Sequence, residues 1–221
     1  MPIPDKTIFG PHLTEQRGIN YGEIRQIEDD DTKLFYLKKR LECFLVNQVD
    51  NIYSNGIYSP FPLTVITCVA VETLGRVISP VSEYEKDSRK KNEISKLVSV
   101  PIYGLLDKKL TRPLNKEFKK HMQLHWPPDN IKSISSYAEL FHSYLRTSFI
   151  HGYRGKNVFL SIELEDGWEV DEGSLIINPN WFWLQYKRVF SECFVKVLDI
   201  KEMNNPYRIN ALNYFNKLVS E

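Results

Sequence analysis

Apolar residues at helical spacing are the feature that most constrains this chain. Between residues 34 and 52 they recur at steps of three and four residues, as Leu34, Leu37, Leu41, Phe44, Leu45, Val49 and Ile52. This spacing places them on one face of a helix, and Asn55-Gly56 is a sequence that commonly ends one. A second apolar stripe follows Pro60 and Pro62 and stops before Pro80. The pattern predicts a chain built mainly of α-helices.

Three further helices have recognisable first residues. Ser136 and Glu139 have the spacing of a capping box, in which each side chain satisfies a backbone donor at the helix start. That helix is predicted to continue to Gly152, since glycine is favoured just past a helix end. Asn178-Pro179 or Asn180 is predicted to start one further helix, and Asn205-Pro206 is predicted to start the last, because proline suits the first helical position.

One segment has the alternating pattern of a strand instead. Apolar residues occupy every second position from Val158 to Leu164, and the alternation resumes at Trp168. The intervening Asp166-Gly167 is a strong turn sequence, so one β-hairpin is predicted at about residues 157–177. The fold class predicted from these patterns is mainly α, an antiparallel helical bundle with one appended β-hairpin.

The domain organisation is predicted from the chain length and from the absence of repeats and linkers in the sequence. Residues 1–32 show no periodicity and are predicted to form an extended N-terminal arm. The 221 residues contain no internal repeat and no linker-like stretch, so residues 1–221 are predicted to form a single domain.

Charge is balanced over the whole chain but not locally. With 29 basic and 28 acidic side chains, the net charge of +1 indicates no particular class of partner. Between Lys86 and His125, however, 11 basic residues accompany four acidic ones. Short helices are predicted at 87–99 and 114–124, with breaks at Pro101, Gly104 and Pro113. This segment suits an electrostatic track for RNA, or else it forms ordinary solvated helix faces.

Several common enzyme motifs are absent from the sequence. It contains no G-x-x-x-x-G-K-[ST], no G-x-G-x-x-G and no G-x-S-x-G. His121 and His125 have the spacing of zinc ligands on a helix, but Met122 stands where the zinc peptidase motif has Glu, and no Cys or third His lies nearby in sequence. We therefore predict neither a metal site nor a cofactor.

Cysteine content and apolar runs bear on localisation. Cys43, Cys68 and Cys193 are an odd number without a C-x-x-C pair, which is typical of buried thiols in a reducing compartment. The first residues lack the basic and apolar regions of a secretory signal. The continuous apolar run near 63–71 is too short to span a bilayer. A cytoplasmic protein is the resulting prediction.

Arg146 and His151 are the candidate catalytic residues. Arginine offers permanently charged donors for a phosphate, and histidine can move a proton near neutral pH. On an ideal α-helix a separation of five residues turns the side chains about 140° apart with a rise of about 7.5 Å. Convergence therefore needs a change in the last helical turn or a second chain. The alternative is that both simply interact favourably with the helix dipole.

An R-x4–6-H element at the end of a helix, with Val69-Ala70-Val71-Glu72-Thr73-Leu74 on an earlier one, resembles the HEPN superfamily. The resemblance implies metal-independent RNA cleavage by a symmetric homodimer, in defence or toxin-type stress responses. Arg146 would stabilise charge on the phosphorane, and His151 would transfer the proton. His142, Arg154 and Lys156 are placed to bind RNA phosphates. An antitoxin or another protein is a further expected partner.

Thr147 leaves a second reading of this resemblance open. Active members usually carry Asn, Asp or His directly after the arginine, where this chain has Thr147. The alternative is a non-catalytic HEPN-like helical module that binds a protein partner or a nucleotide.

Overall fold

A computed structural model describes residues 3–54, 59–80, 91–125, 134–146 and 158–220. The chain divides into two compact units, which are described separately. The first comprises Met1–Tyr58, Arg76–Lys86 and Phe190–Glu221, and the second comprises Ser59–Gly75 and Asp87–Val189. The interpretation of residues 1–221 as one domain stays a prediction.

Helices dominate the described residues, which confirms the predicted fold class. The α-helices are α1 Tyr21–Arg25, α2 Asp30–Leu41, α3 Gln48–Ser54, α4 Pro60–Ile78, α5 Lys91–Leu106, α6 Lys116–His125, α7 Tyr137–Phe141, α8 Pro179–Val197 and α9 Pro206–Ser220. Wider π-helical segments follow α2 at Glu42–Asn47 and α7 at His142–Arg146. Short 3-10 helices lie at Lys108–Thr111 and Ile200–Glu202. The strands are β1 Ile8–Pro11, β2 Gly18–Asn20, β3 Val158–Leu160, β4 Trp168–Asp171 and β5 Ser174–Ile177.

The first unit contains the segment predicted to be an extended arm. Residues 8–20 form an antiparallel pair, β1 and β2, and a capping box of Asn20 and Glu23 then starts α1. Phe9 is fully buried, and its ring lies 5.7 Å from that of Phe215 on α9. The N-terminal segment thus has its own secondary structure and contributes to the core of this unit, because its scattered apolar residues meet distant partners.

In the second unit α4 and α5 approach each other closely. A Cβ atom added at Gly75 would lie 2.2 Å from the carbonyl oxygen of Val98, so only glycine fits there. The prediction that Pro101 ends the preceding helix was wrong, since α5 continues through it to Leu106. Proline removes one backbone hydrogen bond, but the buried side chains of Val98, Ile102 and Leu106 favour continuation of the helix.

The predicted β-hairpin lies in a small sheet of three strands rather than standing alone. The order is β3-β5-β4, in which β3 pairs parallel with β5 and β4 pairs antiparallel with β5. The hairpin turn is Glu172-Gly173, with φ of 41° and 82°, and not Asp166-Gly167. Gly167 instead accommodates Trp181, whose ring atoms would lie 2.3 Å from an added Cβ. The sequence therefore predicted strands in the right segment but assigned the wrong turn.

Helix α4 bears on the prediction that no segment spans a membrane. Within the described residues it is the one helix long and apolar enough to do so, with a mean hydropathy of 1.6 in its most apolar window. Of that window 56% is buried inside the protein, and the core helix of a soluble protein passes the same test of length and composition. The three cysteines are free thiols, with Cys68 and Cys193 buried and Cys43 half-buried.

Candidate functional site

The helix that carries the predicted site begins as the sequence indicates. The backbone N–H of Glu139 donates to the Ser136 hydroxyl over 3.3 Å, and the Glu139 carboxylate accepts from Ser135 instead of from Ser136. Lys96 of α5 forms an ion pair of 3.0 Å with the same carboxylate. Burial alone would raise the pKa of Glu139, but the bonds from Ser135 and Lys96 hold that pKa below its ordinary value. The start of α7 is thus fixed to α5.

After Phe141 this helix changes from α to π geometry. The π-helical segment covers His142–Arg146, and within it Tyr144 and Leu145 are fully buried. In a π-helix the backbone hydrogen bonds join residues five positions apart, so the turn is wider than in an α-helix, and such turns are frequent at functional sites. The sequence pattern predicted one regular helix here.

A chain of polar groups inside the second unit holds the first residue of this π-helical segment. The Ser95 hydroxyl of α5 donates to a carboxylate oxygen of Glu72 on α4 over 2.9 Å. Its oxygen also lies 3.1 Å from Nε2 of His142. Ser95 is fully buried and His142 is 6% exposed, so water does not weaken these bonds appreciably. We call Glu72, Ser95 and His142 the polar chain.

The predicted site residues divide into those that are described and those that are not. The backbone of Arg146 is the last part of the π-helical segment, whereas His151, Arg154 and Lys156 lie outside the described residues, as do Thr147 and Gly152. Convergence of Arg146 and His151 therefore stays a prediction. His142 is buried and bonded to Ser95, which is the setting of a structural histidine more than of a phosphate ligand.

Ser95 was missed at the level of sequence. The available signal is that Ser95 and Ser99 are four residues apart, on the face of α5 that also carries Ile94, Val98 and Ile102. A buried serine hydroxyl favours a hydrogen-bond partner, and the partners of Ser95, Glu72 and His142, lie 23 and 47 residues away in sequence. Nothing local in the sequence identifies those partners.

A surface of unpaired basic side chains lies beside the start of α7. We call it the basic surface, and it consists of Lys108, Lys109, Arg112, Lys116, Lys119 and Lys120. Among the described residues none of the six has a carboxylate partner within 4.0 Å. The N–H of Tyr137 donates to the carbonyl of Arg112 over 3.2 Å, which fixes this surface to the helix that leads to Arg146. Below it, Leu114, Phe118 and Met122 are buried.

Metal chemistry has no candidate ligand set in the described part of the chain. No three of its His, Cys, Asp and Glu side chains lie close enough together to hold an ion.

No protein-family model, no curated protein and no solved structure matches this chain.

Proposed function

We propose that this chain is a HEPN-like, RNA-directed protein that cleaves RNA without a metal ion, as a homodimer. What carries the proposal is the capped helix that turns π-helical and ends at Arg146. In α geometry a spacing of five residues separates two side chains by about 140°. Arg146 and His151 are five positions apart in sequence, so their convergence needs a turn that departs from the α-helix, or a second chain.

The proposed reaction is an internal phosphoryl transfer within RNA. The ribose 2′-oxygen attacks the adjacent phosphorus, the bond from phosphorus to the 5′-oxygen breaks, and the products are a 2′,3′-cyclic phosphate and a 5′-hydroxyl. The proton lost by the 2′-hydroxyl is balanced by the one gained by the leaving oxygen, and His151 transfers it. Arg146 stabilises the charge that develops on the phosphorane oxygens. Arg154 and Lys156 bind flanking phosphates.

The basic surface supports RNA as the substrate. Its six cations lack carboxylate partners among the described residues, so they are available to phosphates, and binding would release counterions. It adjoins the start of α7, whose first residue precedes Arg146 by nine positions on the same helix. A single strand that contacts both ends of this helix would therefore lie across the site.

Removal of two of these cations should change the salt dependence of RNA binding. For Lys116→Met with Lys120→Met, we expect weaker binding to every RNA sequence. The slope of log affinity against log salt should fall by about 1.4, at about 0.7 per phosphate contact with a single strand. Fluorescence anisotropy between low and moderate salt measures both quantities. Lys201→Met, on an exposed residue of the first unit, is the control and should change neither. An unchanged slope in the double variant would exclude this surface.

Cleavage in the presence of EDTA tests the enzyme directly. We expect fragments with 2′,3′-cyclic phosphate ends from the wild type and from the control variants His121→Ala and Lys201→Met, whose side chains are exposed and lie outside the basic surface. Arg146→Ala and His151→Ala should each reduce the cleavage rate by at least about 100-fold. Full cleavage in either site variant overturns the assignment of that residue. If the wild type cleaves none of the RNAs tested, the proposed ribonuclease activity is overturned.

The second candidate function is the non-catalytic helical module, and Thr147 is the residue that favours it. Binding of a protein partner or a nucleotide without cleavage would then be the whole activity, in which case Arg146→Ala would weaken binding instead of turnover. In both readings we propose a cytoplasmic protein of a defence or toxin-type response, with an antitoxin as a further partner.

A further inference from the structure

The polar chain contains one hydroxyl proton between two acceptor-capable groups. The Ser95 oxygen lies 2.9 Å from Glu72 and 3.1 Å from Nε2 of His142. An ionised carboxylate can only accept hydrogen bonds, whereas a hydroxyl donates one and accepts others. If Ser95 donates to Glu72, its oxygen must accept from His142. Nε2 of His142 must then carry a hydrogen.

We infer that Glu72 and Ser95 hold His142 in the form that is protonated at Nε2. The opposite arrangement requires a protonated Glu72, which would donate to Ser95 so that Ser95 donates to Nε2. That arrangement places the ring hydrogen on Nδ1 instead. The two arrangements therefore place the ring hydrogen of His142 on different nitrogens, Nε2 in the first and Nδ1 in the second, and experiment can distinguish them.

The consequence for function rests on the proposed ribonuclease activity. His142 begins the π-helical segment whose last residue is Arg146, so a ring held in one orientation fixes the start of the wider turn. Ser95 and Glu72 are thus positioning residues for Arg146. In this scheme they act through His142 and not on the substrate: Ser95 is fully buried, and Glu72 is half-buried behind it.

Nitrogen NMR of the full-length protein with labelled histidine tests the inference without any substrate. In the wild type we expect the His142 signal of a ring with hydrogen on Nε2, assigned through the loss of that signal in His142→Gln. A ring with hydrogen only on Nδ1 would overturn the inference. Because this readout does not use RNA, it stands or fails independently of the proposed ribonuclease activity.

Two variants change the polar chain in different ways. In Ser95→Ala the acceptor is lost, so we expect the His142 nitrogen signals to shift toward a mixture of the two tautomers. In Glu72→Gln the amide can donate to Ser95, which frees the hydroxyl proton for Nε2, so the fraction of Nε2-protonated ring should fall. Ser95→Thr retains the hydroxyl and should retain the wild-type spectrum. An unchanged His142 spectrum in both Ser95→Ala and Glu72→Gln would overturn the inference.

Ser99→Ala is the matched control for Ser95→Ala. Both serines are buried on α5 one helical turn apart, and Ser99 has no hydrogen-bond partner among the described residues. Its removal should leave the His142 spectrum unchanged. If the wild type cleaves RNA, Ser95→Ala should lower kcat by about fivefold with little change in KM, while Ser99→Ala lowers neither. Equal kcat in Ser95→Ala and the wild type would overturn the positioning role alone.

Discussion

Arg208 is a charged residue in the interior of the first unit. Its side chain is 3% exposed and pairs with Asp31, and a second guanidinium nitrogen donates to the carbonyl of Val197 over 3.2 Å. The pair therefore joins α9 to the start of α2 and the end of α8. Because Asp31 is 41% exposed, its carboxylate keeps water contact if the partner is removed.

For Arg208→Met we expect the free energy of unfolding to fall by about 2 kcal/mol, since the apolar stem is kept while the two polar partners lose their donor. Urea denaturation measures this change. Lys38→Met breaks the partly exposed pair with Glu42 in the same unit and should change stability by less than about 0.5 kcal/mol. A similar loss of stability in both variants would mean that the buried Arg208 pair stabilises the protein no more than the partly exposed Lys38 pair.

Glu23 makes the stability of the N-terminal segment depend on pH. Arg17 donates to its carboxylate, and the N–H of Asn20 adds a bond of 2.9 Å, so the pKa falls from 4.5 to about 2. A carboxyl with a lowered folded pKa contributes stability above its unfolded pKa and loses it as pH falls through the folded value.

Glu23→Gln should therefore destabilise the protein at neutral pH relative to the wild type. The difference should shrink as pH falls below 4.5, and it should vanish only below about 2, where the wild-type carboxyl is also neutral. Thermal unfolding across this pH range measures the difference, and carbon NMR of Glu23 gives its midpoint directly. A difference between the two proteins that is constant over the range would contradict the assigned pKa.

At the scale of elements, the contact of α4 with α5 depends on Gly75. For Gly75→Ala the added methyl overlaps backbone atoms of Val98, which cannot turn aside as a side chain would. We expect a loss of about 3 kcal/mol in the free energy of unfolding, although alanine is the better helix former. Because Val98 follows Ser95 by one turn of α5, this contact also places the polar chain.

Gly104→Ala is the control within the same unit. Among the described residues its added Cβ would meet only the Thr111 methyl at 2.9 Å, the end of a side chain that can move. The change should stay within about 1 kcal/mol, because the gain in helix propensity offsets the contact. Urea denaturation of both variants measures the change in the free energy of unfolding. Equal losses of stability in Gly75→Ala and Gly104→Ala would show that the backbone contact at Gly75 does not cause the destabilisation.

Elements differ in how far their sequences predict them. The Asn178 side chain accepts from the N–H of Asn180 over 2.9 Å, and α8 begins at Pro179 as the dipeptide predicts. Such caps involve residues within one turn, so sequence suffices. The pairing of β3 with β5 joins residues 17 positions apart and in parallel, and no turn sequence signals it. Prediction therefore succeeded for helix starts and failed for strand order.

At the scale of the whole molecule, two helices contribute residues to both units. Helices α4 and α8 each begin in the second unit and end in the first. Unfolding of one unit would then leave part of a helix in the other without its continuation. We expect one cooperative transition in urea for the full chain, as for a single domain.

Arg208→Met and Gly75→Ala test this expectation together, since they alter different units. Both should lower the midpoint of the same transition, followed by circular dichroism and by tryptophan fluorescence. Two transitions, each shifted by only one variant, would contradict the single domain predicted for residues 1–221.

Apolar spacing and helix caps depend on neighbours within a few residues, so the mainly helical fold, the helix starts and the candidacy of Arg146 and His151 could be predicted from the amino-acid sequence. Contacts between distant residues are the reason that Glu72, Ser95 and His142 meet, that the N-terminal segment joins a core, and that Pro101 stays within a helix. Those outcomes depend on burial against residues tens of positions away. The free energy of such long-range contacts outweighs the local conformational preference of each residue. It cannot be predicted from the pattern of neighbouring residues in the sequence.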